Sequence, residues 1–263
     1  MTTQDRMVSG LHCMIDDDTD GGQVPLVLLH GVGDTAQAWD TVVEHLPADR
    51  PVVRYDLRGH GRSPGPAGPW SIDDFVEDHV RLLDALEIGV ADLVGFSLGG
   101  LIAQRIAATH QDRVRRLMVV GAVAGRTEGE RQAVLDRLTM VEREGPLGAA
   151  RKSVDRWYSA EFLEQHPEVR ERTIARMAAL DPVGYTHAYR VLATSDLVAD
   201  LGRITAPTLA MTGEHDVGSP PRMSRTIAEG VQSGRWTVLP GARHSVLVEQ
   251  PELVAKELLD HVC

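Results

Sequence analysis

Gly95-Phe96-Ser97-Leu98-Gly99-Gly100 lies between the apolar run Ala91 to Val94 and a second run, Leu98 to Ala108, with helical character. It reads as a serine placed on a strand-to-helix turn. Such a turn forces its central residue into a strained conformation, and the neighbours that avoid clashes there are those without side chains, the places of Gly95 and Gly99. A helix starting directly after the serine leaves the N–H of Leu98 without an intrahelical partner, at the positive end of the helix. That N–H can therefore stabilise an oxyanion. Alone, the same six residues also fit a tight turn that merely packs a helix on a strand, so the surrounding chain has to decide.

Working outward, Leu11 to Ile15, Val24 to Leu29, Val52 to Tyr55 and Val114 to Val120 read as strands, and the Asp- and Gly-rich stretch from Asp16 to Gly22 as a turn. Thr35 to Leu46 has helical character. Ser71 caps a helix whose apolar positions Ile72, Phe75, Val76, Val80, Leu83 and Leu86 recur at helical spacing. Strands and helices thus alternate through the serine turn, as a mostly parallel sheet flanked by helices requires. The alternation stops at 126–194, where helical stretches are punctuated by Gly145-Pro146, His166-Pro167 and Asp181-Pro182. It resumes with a strand from Pro207 to Thr212, a helix near Pro221 to Val231, a strand from Trp236 to Leu239 and a closing helix from Pro251 to His261. The expected organisation is one α/β core, 1–125 with 195–263, and a helical cap inserted at 126–194.

A serine hydroxyl needs a base, and the base needs a carboxylate that orients it and stabilises its cation. Asp216, in Thr212-Gly213-Glu214-His215-Asp216, and His244, in Gly241-Ala242-Arg243-His244-Ser245, each follow a strand where open α/β sheets gather catalytic groups. Glu214 and Asp56 are rivals for the acid; the stretch Val119 to Gly125 offers no carboxylate. His30 and His60, in glycine-rich turns, read as structural, as does Arg58, and His215 reads as a hydrogen-bonded loop residue. Trp39, Trp70 and Trp236 read as core or loop packing.

The bulk numbers exclude other classes. The 263 residues, 43% hydrophobic and 25% charged, suit an ordinary globular chain. The formal charge of -11, from 27 basic and 38 acidic residues, disfavours nucleic acid and anionic membrane surfaces as partners. The polar N-terminal stretch holds no apolar segment fit for a signal sequence or membrane span, so the expected location is cytoplasmic. The two cysteines, Cys13 and Cys263, read as free and non-catalytic thiols, and zinc spacings are absent, so no metal is expected.

The order Ser97, Asp216, His244 is that of α/β-hydrolases, and nearly the whole chain resembles that superfamily. His30-Gly31-Val32-Gly33 resembles its oxyanion loop, which implies the Val32 N–H as a second donor beside Leu98. Tyr55-Asp56-Leu57-Arg58-Gly59-His60-Gly61-Arg62-Ser63 resembles its turn after the next strand. Arg156-Trp157-Tyr158-Ser159-Ala160-Glu161-Phe162, Asp181-Pro182-Val183-Gly184-Tyr185 and Ser195-Asp196-Leu197 resemble the cap of 3-oxoadipate enol-lactonases. The resemblance implies a cofactor-free serine esterase or lactonase acting on a small molecule, with a cationic cap residue for a substrate carboxylate. Arg156, Lys152 and Arg190 are available for that role, and Arg156 and Trp157 are also open to plain surface or packing readings. A general carboxylesterase, a C–C bond hydrolase of aromatic meta-cleavage products and a triad-bearing ligand receptor remain alternatives.

Overall fold

The computed structural model describes residues 3–16 and 22–262. The expected Asp/Gly turn, apart from its two ends, and Cys263 lie outside the described residues. Among the described residues, eight strands form one sheet: β1 (Thr3–Val8), β2 (Leu11–Asp16), β3 (Leu26–Leu29), β4 (Val52–Tyr55), β5 (Ala91–Phe96), β6 (Val114–Val120), β7 (Thr208–Gly213) and β8 (Gly234–Leu239). Their order is β1-β2-β4-β3-β5-β6-β7-β8. β2 is antiparallel to β1 and β4, and the other pairings are parallel.

The helices, in chain order, are α1 (Asp40–Val43), α2 (Ile72–Ala85), α3 (Leu98–Thr109), α4 (Glu128–Trp157), α5 (Ala160–Gln165), α6 (Pro167–Ala178), α7 (Pro182–Thr194), α8 (Pro221–Gly230), α9 (Val246–Glu249) and α10 (Pro251–Val262). The period-2 alternation of the central strands divides the core. Val27 and Leu29 of β3 and Leu117 and Val119 of β6 face α2, α3 and α8. Leu26, Leu28, Met118 and Val120 face Trp39, Val42 and the α10 residues Val254 and Leu258. The cap helices α4 to α7 lie between β6 and β7 and keep a small core of their own around Val141, Met177, Tyr185 and Tyr189.

Four sequence readings need correction. β1 was not expected; its residues are mostly exposed and show no apolar alternation, yet it pairs along all of β2. Its partner turn, Ser9-Gly10, has positive φ at both residues (49° and 84°), the geometry that joins antiparallel strands tightly. The strand expected from Val24 starts at Leu26, because Pro25 has no N–H to give the ladder. The Thr35 to Leu46 stretch is only a 3-10 turn, Ala36–Trp39, followed by the single turn of α1. Trp236 does not pack in a core: β8 is the sheet's edge strand and leaves this side chain 45% exposed. Trp39 and Trp70 are buried as expected.

Candidate active site

Ser97 stands between β5 and α3 with φ 53° and ψ -113°, a backbone that side-chain-bearing residues rarely adopt. The flanking glycines are steric necessities. A Cβ on Gly95 would come within 2.2 Å of the Gly99 carbonyl oxygen, and one on Gly99 within 2.4 Å of the Leu29 carbonyl oxygen. The Ser97 N–H donates to the Val120 carbonyl at 2.8 Å, which ties the turn to β6.

His244, in the loop after β8, places Nε2 3.2 Å from Ser97 Oγ and Nδ1 2.7 Å from Asp216 Oδ2. Its ring also packs against Phe96, centroid to centroid at 5.1 Å. Asp216, buried after β7, accepts through Oδ1 from the N–H groups of Gly218 (2.8 Å) and Ser219 (3.0 Å), while Thr212 Oγ1 donates to Oδ2. Burial alone would push the Asp216 carboxyl up; the facing His244 and these N–H donors outweigh it and hold it below the ordinary carboxylate value. For His244 burial works downwards, and the Asp216 carboxylate overcomes it, so the imidazole sits above its ordinary value.

The rival acids are engaged elsewhere. Asp56 accepts from Ala36 N–H (2.7 Å), Arg62 N–H (2.8 Å) and His12 Nδ1 (2.7 Å), which makes it the anchor of its glycine-rich turn. Glu214 accepts from the Gly241 N–H. His30 bonds the Gly31 carbonyl through Nδ1 at 2.7 Å and accepts the Leu57 N–H through Nε2 at 2.9 Å, and burial holds its imidazole down. His60 bonds the Arg58 carbonyl and is pushed by burial to about 3. Arg58 ties the turn to α2 through Asp78 (2.6 Å) and Asp74 (3.1 Å). His215 is exposed, its nearest carboxylate Glu214 at 3.9 Å. Burial and the Asp56 carboxylate push the Cys13 thiol up to about 12, which leaves no thiolate near neutrality.

Val32 lies in the turn Gly31-Val32-Gly33-Asp34, closed by the Asp34 N–H to the Gly31 carbonyl at 3.2 Å. The turn is pressed against Ser97: a Cβ on Gly31 would stand 3.2 Å from Ser97 Cβ, and the Gly99 N–H donates to the His30 carbonyl at 3.1 Å. Among the described residues neither the Val32 nor the Leu98 N–H has a hydrogen-bond partner. Two donors are thus left open beside Ser97 Oγ.

A cavity of about 220 Å³ opens above these groups, between the core loops and the cap. Arg156 and Trp157 both line it; Trp157 also packs with the cap's apolar residues. The Arg156 side chain has no ion pair or hydrogen bond among the described residues. Its guanidinium pKa is lowered first by burial and then by the Arg137 cation. Lys152 and Arg190 are not part of the lining: they pair with Glu144 and Glu142 on the outside of the cap. The sequence reading missed Arg137, which lines the cavity and donates to Ser153 Oγ, and the cavity-lining pair Asp34 and Arg176. Asp34 directly follows the glycine loop, a signal that was available; Arg137 and Arg176 sit in polar helical stretches that single out no position. The chain end of α4 is fastened beside the histidine, where the Ser245 N–H donates to the Trp157 carbonyl at 2.8 Å.

A hydroxyl, an imidazole and a carboxylate thus stand in hydrogen-bonded sequence at a cavity over a mostly parallel α/β sheet, with two open N–H groups close to the hydroxyl, an arrangement able to carry out acyl transfer. Residues 26–257 match the model of the alpha/beta hydrolase family, and the chain belongs to that family. It is similar to the (E)-2-((N-methylformamido)methylene)succinate hydrolase of Acinetobacter baylyi, 33% identical over 88% of this chain and 87% of that protein. It is 31% identical to 3-oxoadipate enol-lactonase 2 of the same organism, over 86% of this chain and 84% of that one. The enol-lactonase of Burkholderia xenovorans LB400 superposes with a TM-score of 0.90 at 28% identity, covering 98% of this chain and 99% of that structure. The protein is therefore a hydrolase enzyme, and no helix among the described residues is long and apolar enough to cross a membrane.

Proposed function

We propose that this chain is a cofactor-free serine hydrolase that opens a small lactone or ester through an acyl-enzyme, with a carboxylate-bearing enol-lactone of the 3-oxoadipate kind as its substrate. The observation that carries the reading is the hydrogen-bonded run from Ser97 Oγ through His244 to Asp216 beneath the cavity. In this scheme Ser97 Oγ attacks the acyl carbon and its proton passes to His244 Nε2. The oxyanion accepts from the N–H groups of Val32 and Leu98, each worth on the order of 3 kcal/mol to the transition state. The C–O bond then breaks as His244 returns the proton to the leaving oxygen. In a lactone that oxygen stays tethered to the acyl-enzyme. Water, deprotonated by His244, attacks the ester, and the collapse of the second tetrahedral intermediate frees the carboxylate and reprotonates Ser97.

The substrate assignment draws on the unpartnered Arg156 at the cavity, with Trp157 beside it, and on the names of the two Acinetobacter relatives, both derivatives of dicarboxylic acids. The division of labour is a core, 1–125 with 195–263, that carries the chemistry and a lid, 126–194, that selects. A fluorophosphonate probe should label Ser97 in the wild type and not in Ser97→Ala, and a panel of lactones, esters and vinylogous diketones should show the highest kcat/KM for a carboxylate-bearing lactone. Full esterase activity in Ser97→Ala would remove the catalytic role of this serine. A preference for the diketones would move the assignment to C–C bond hydrolysis, and labelling without turnover of any member would favour a ligand receptor.

A further inference from the structure

Asp34 and Arg176 are both in the cavity wall, one in the core loop that carries Val32 and the other in the lid helix α6, and their side chains form an ion pair. The contact is reinforced beside it. Gly33, at φ 77°, lies under two lid side chains: a Cβ there would come within 2.7 Å of Met177 Sδ and 3.0 Å of the Tyr185 ring. Val32 itself packs against the lid's apolar cluster. The turn Gly31 to Asp34 is therefore held from below by its own Asp34 N–H to Gly31 bond and from above by α6 and α7. Asp34 Oδ1 also accepts the Thr35 N–H at 3.0 Å, so a displaced carboxylate would disturb the turn's exit as well.

We infer that Arg176 is a positioning residue for the oxyanion hole: by pairing with Asp34 it fixes the Val32 turn, so that seating the lid completes the hole. The inference rests on the serine hydrolase reading of Ser97. The chemistry follows from geometry. A tetrahedral oxyanion is stabilised only by donors already aimed at the place where charge develops, and a displacement of about 1 Å of one donor costs a large part of its effect. Arg176 never touches the reacting carbonyl in this account; it acts through Asp34 on the direction of one N–H. With the lid lifted, the chain keeps Leu98 as a fixed donor, because Leu98 opens α3, and loses the placement of the other.

The test uses p-nitrophenyl acetate turnover and the rate of Ser97 labelling by a fluorophosphonate, whose phosphoryl oxygen takes the oxyanion position. Arg176→Met, which keeps the apolar stem, should lower kcat and the labelling rate together by roughly 10- to 100-fold, less than the ~10²–10³ lost with a whole donor, with KM nearly unchanged. Asp34→Asn, which keeps the acceptor for Thr35, should give the same loss, and the double variant should lose no more than either single one. Arg176→Lys should recover part of it. A rise in KM with unchanged kcat and labelling would make the pair a simple lid fastening and overturn the inference, as would additive losses in the double variant. If the wild type is not labelled at all, the serine hydrolase reading fails instead. Should Arg176→Met not fold, Asp34→Asn and Arg176→Lys decide by the same two rates.

Discussion

At the scale of the residue, the site was legible wherever chemistry is tied to a strand end. Ser97, Asp216 and His244 were readable because each follows an apolar strand in a short loop, and Gly95 and Gly99 because their space is filled by backbone. Arg137, Asp34 and Arg176 were not assigned, since what gathers them is the meeting of lid and core across more than a hundred residues of chain. The raised imidazole of His244 sets a sign for the pH profile. As the base of the proposed mechanism His244 works only when neutral, so kcat/KM should fall as pH drops through a value above the ordinary ~6.5 of histidine, and Asp216→Asn should move that acid limb down while cutting kcat by as much as ~10⁴. A wild-type limb centred below 6.5 would contradict the pairing. Arg156→Met should raise KM about tenfold or more for a carboxylate-bearing lactone, the worth of a charge-assisted hydrogen bond, and leave KM for a neutral ester unchanged. Equal effects on the two substrates would return Arg156 to a surface role.

At the scale of the element, periodicity revealed α2, α3 and the buried strands, because each presents apolar residues to one or both sides of the sheet. It failed for β1, whose stability comes from the ladder to β2 and from the Ser9-Gly10 turn rather than from any apolar face. It also could not reveal how the lid is joined to the core. Arg126, buried at that junction, donates to the carbonyls of Leu192 and Ser195 at 2.9 Å each, the end of α7, while Asp196 accepts the N–H groups of Gly125 and Arg126 at 3.2 Å. A helix end left with buried, unpaired carbonyls costs about 1–3 kcal/mol per group. Arg126→Met should therefore lower the unfolding free energy by an amount in that range, read as a lower denaturant midpoint at an unchanged slope, with the same far-ultraviolet spectrum. A midpoint within error of the wild type would show that water serves those carbonyls equally well.

At the scale of the whole molecule, strand order was beyond reach of the sequence: that β3 lies between β4 and β5 follows from how crossovers pack on both faces, and no single segment carries it. The packing has a consequence for acid stability. His60 and His79 are enclosed between the sheet and its covering loops and helices, and burial pushes each to about 3. Tyr55 Oη and His79 Nδ1 stand 3.1 Å apart, a hydrogen bond to the neutral ring. The folded values lie below the unfolded ~6.5, so between those limits the unfolded chain binds protons that the folded chain refuses. The stability these groups allow is complete above about 6.5 and is lost progressively as pH falls towards 3. Asp216, held below its ordinary value, acts in the same direction at lower pH, whereas the raised His244 opposes it by favouring the folded state in acid. The overall charge of -11 also opposes it, because titration towards the isoelectric point near 5.4 relieves self-repulsion. The fully buried imidazoles of His30, His60 and His79, all held down, outweigh one raised imidazole and a diffuse surface term, so urea midpoints should decline steadily from pH 7 to pH 4.5. His79→Phe, which cannot take up a proton, should make that decline shallower even though the Tyr55 contact is lost. An identical pH slope in the variant would exclude His79 as a source of acid lability.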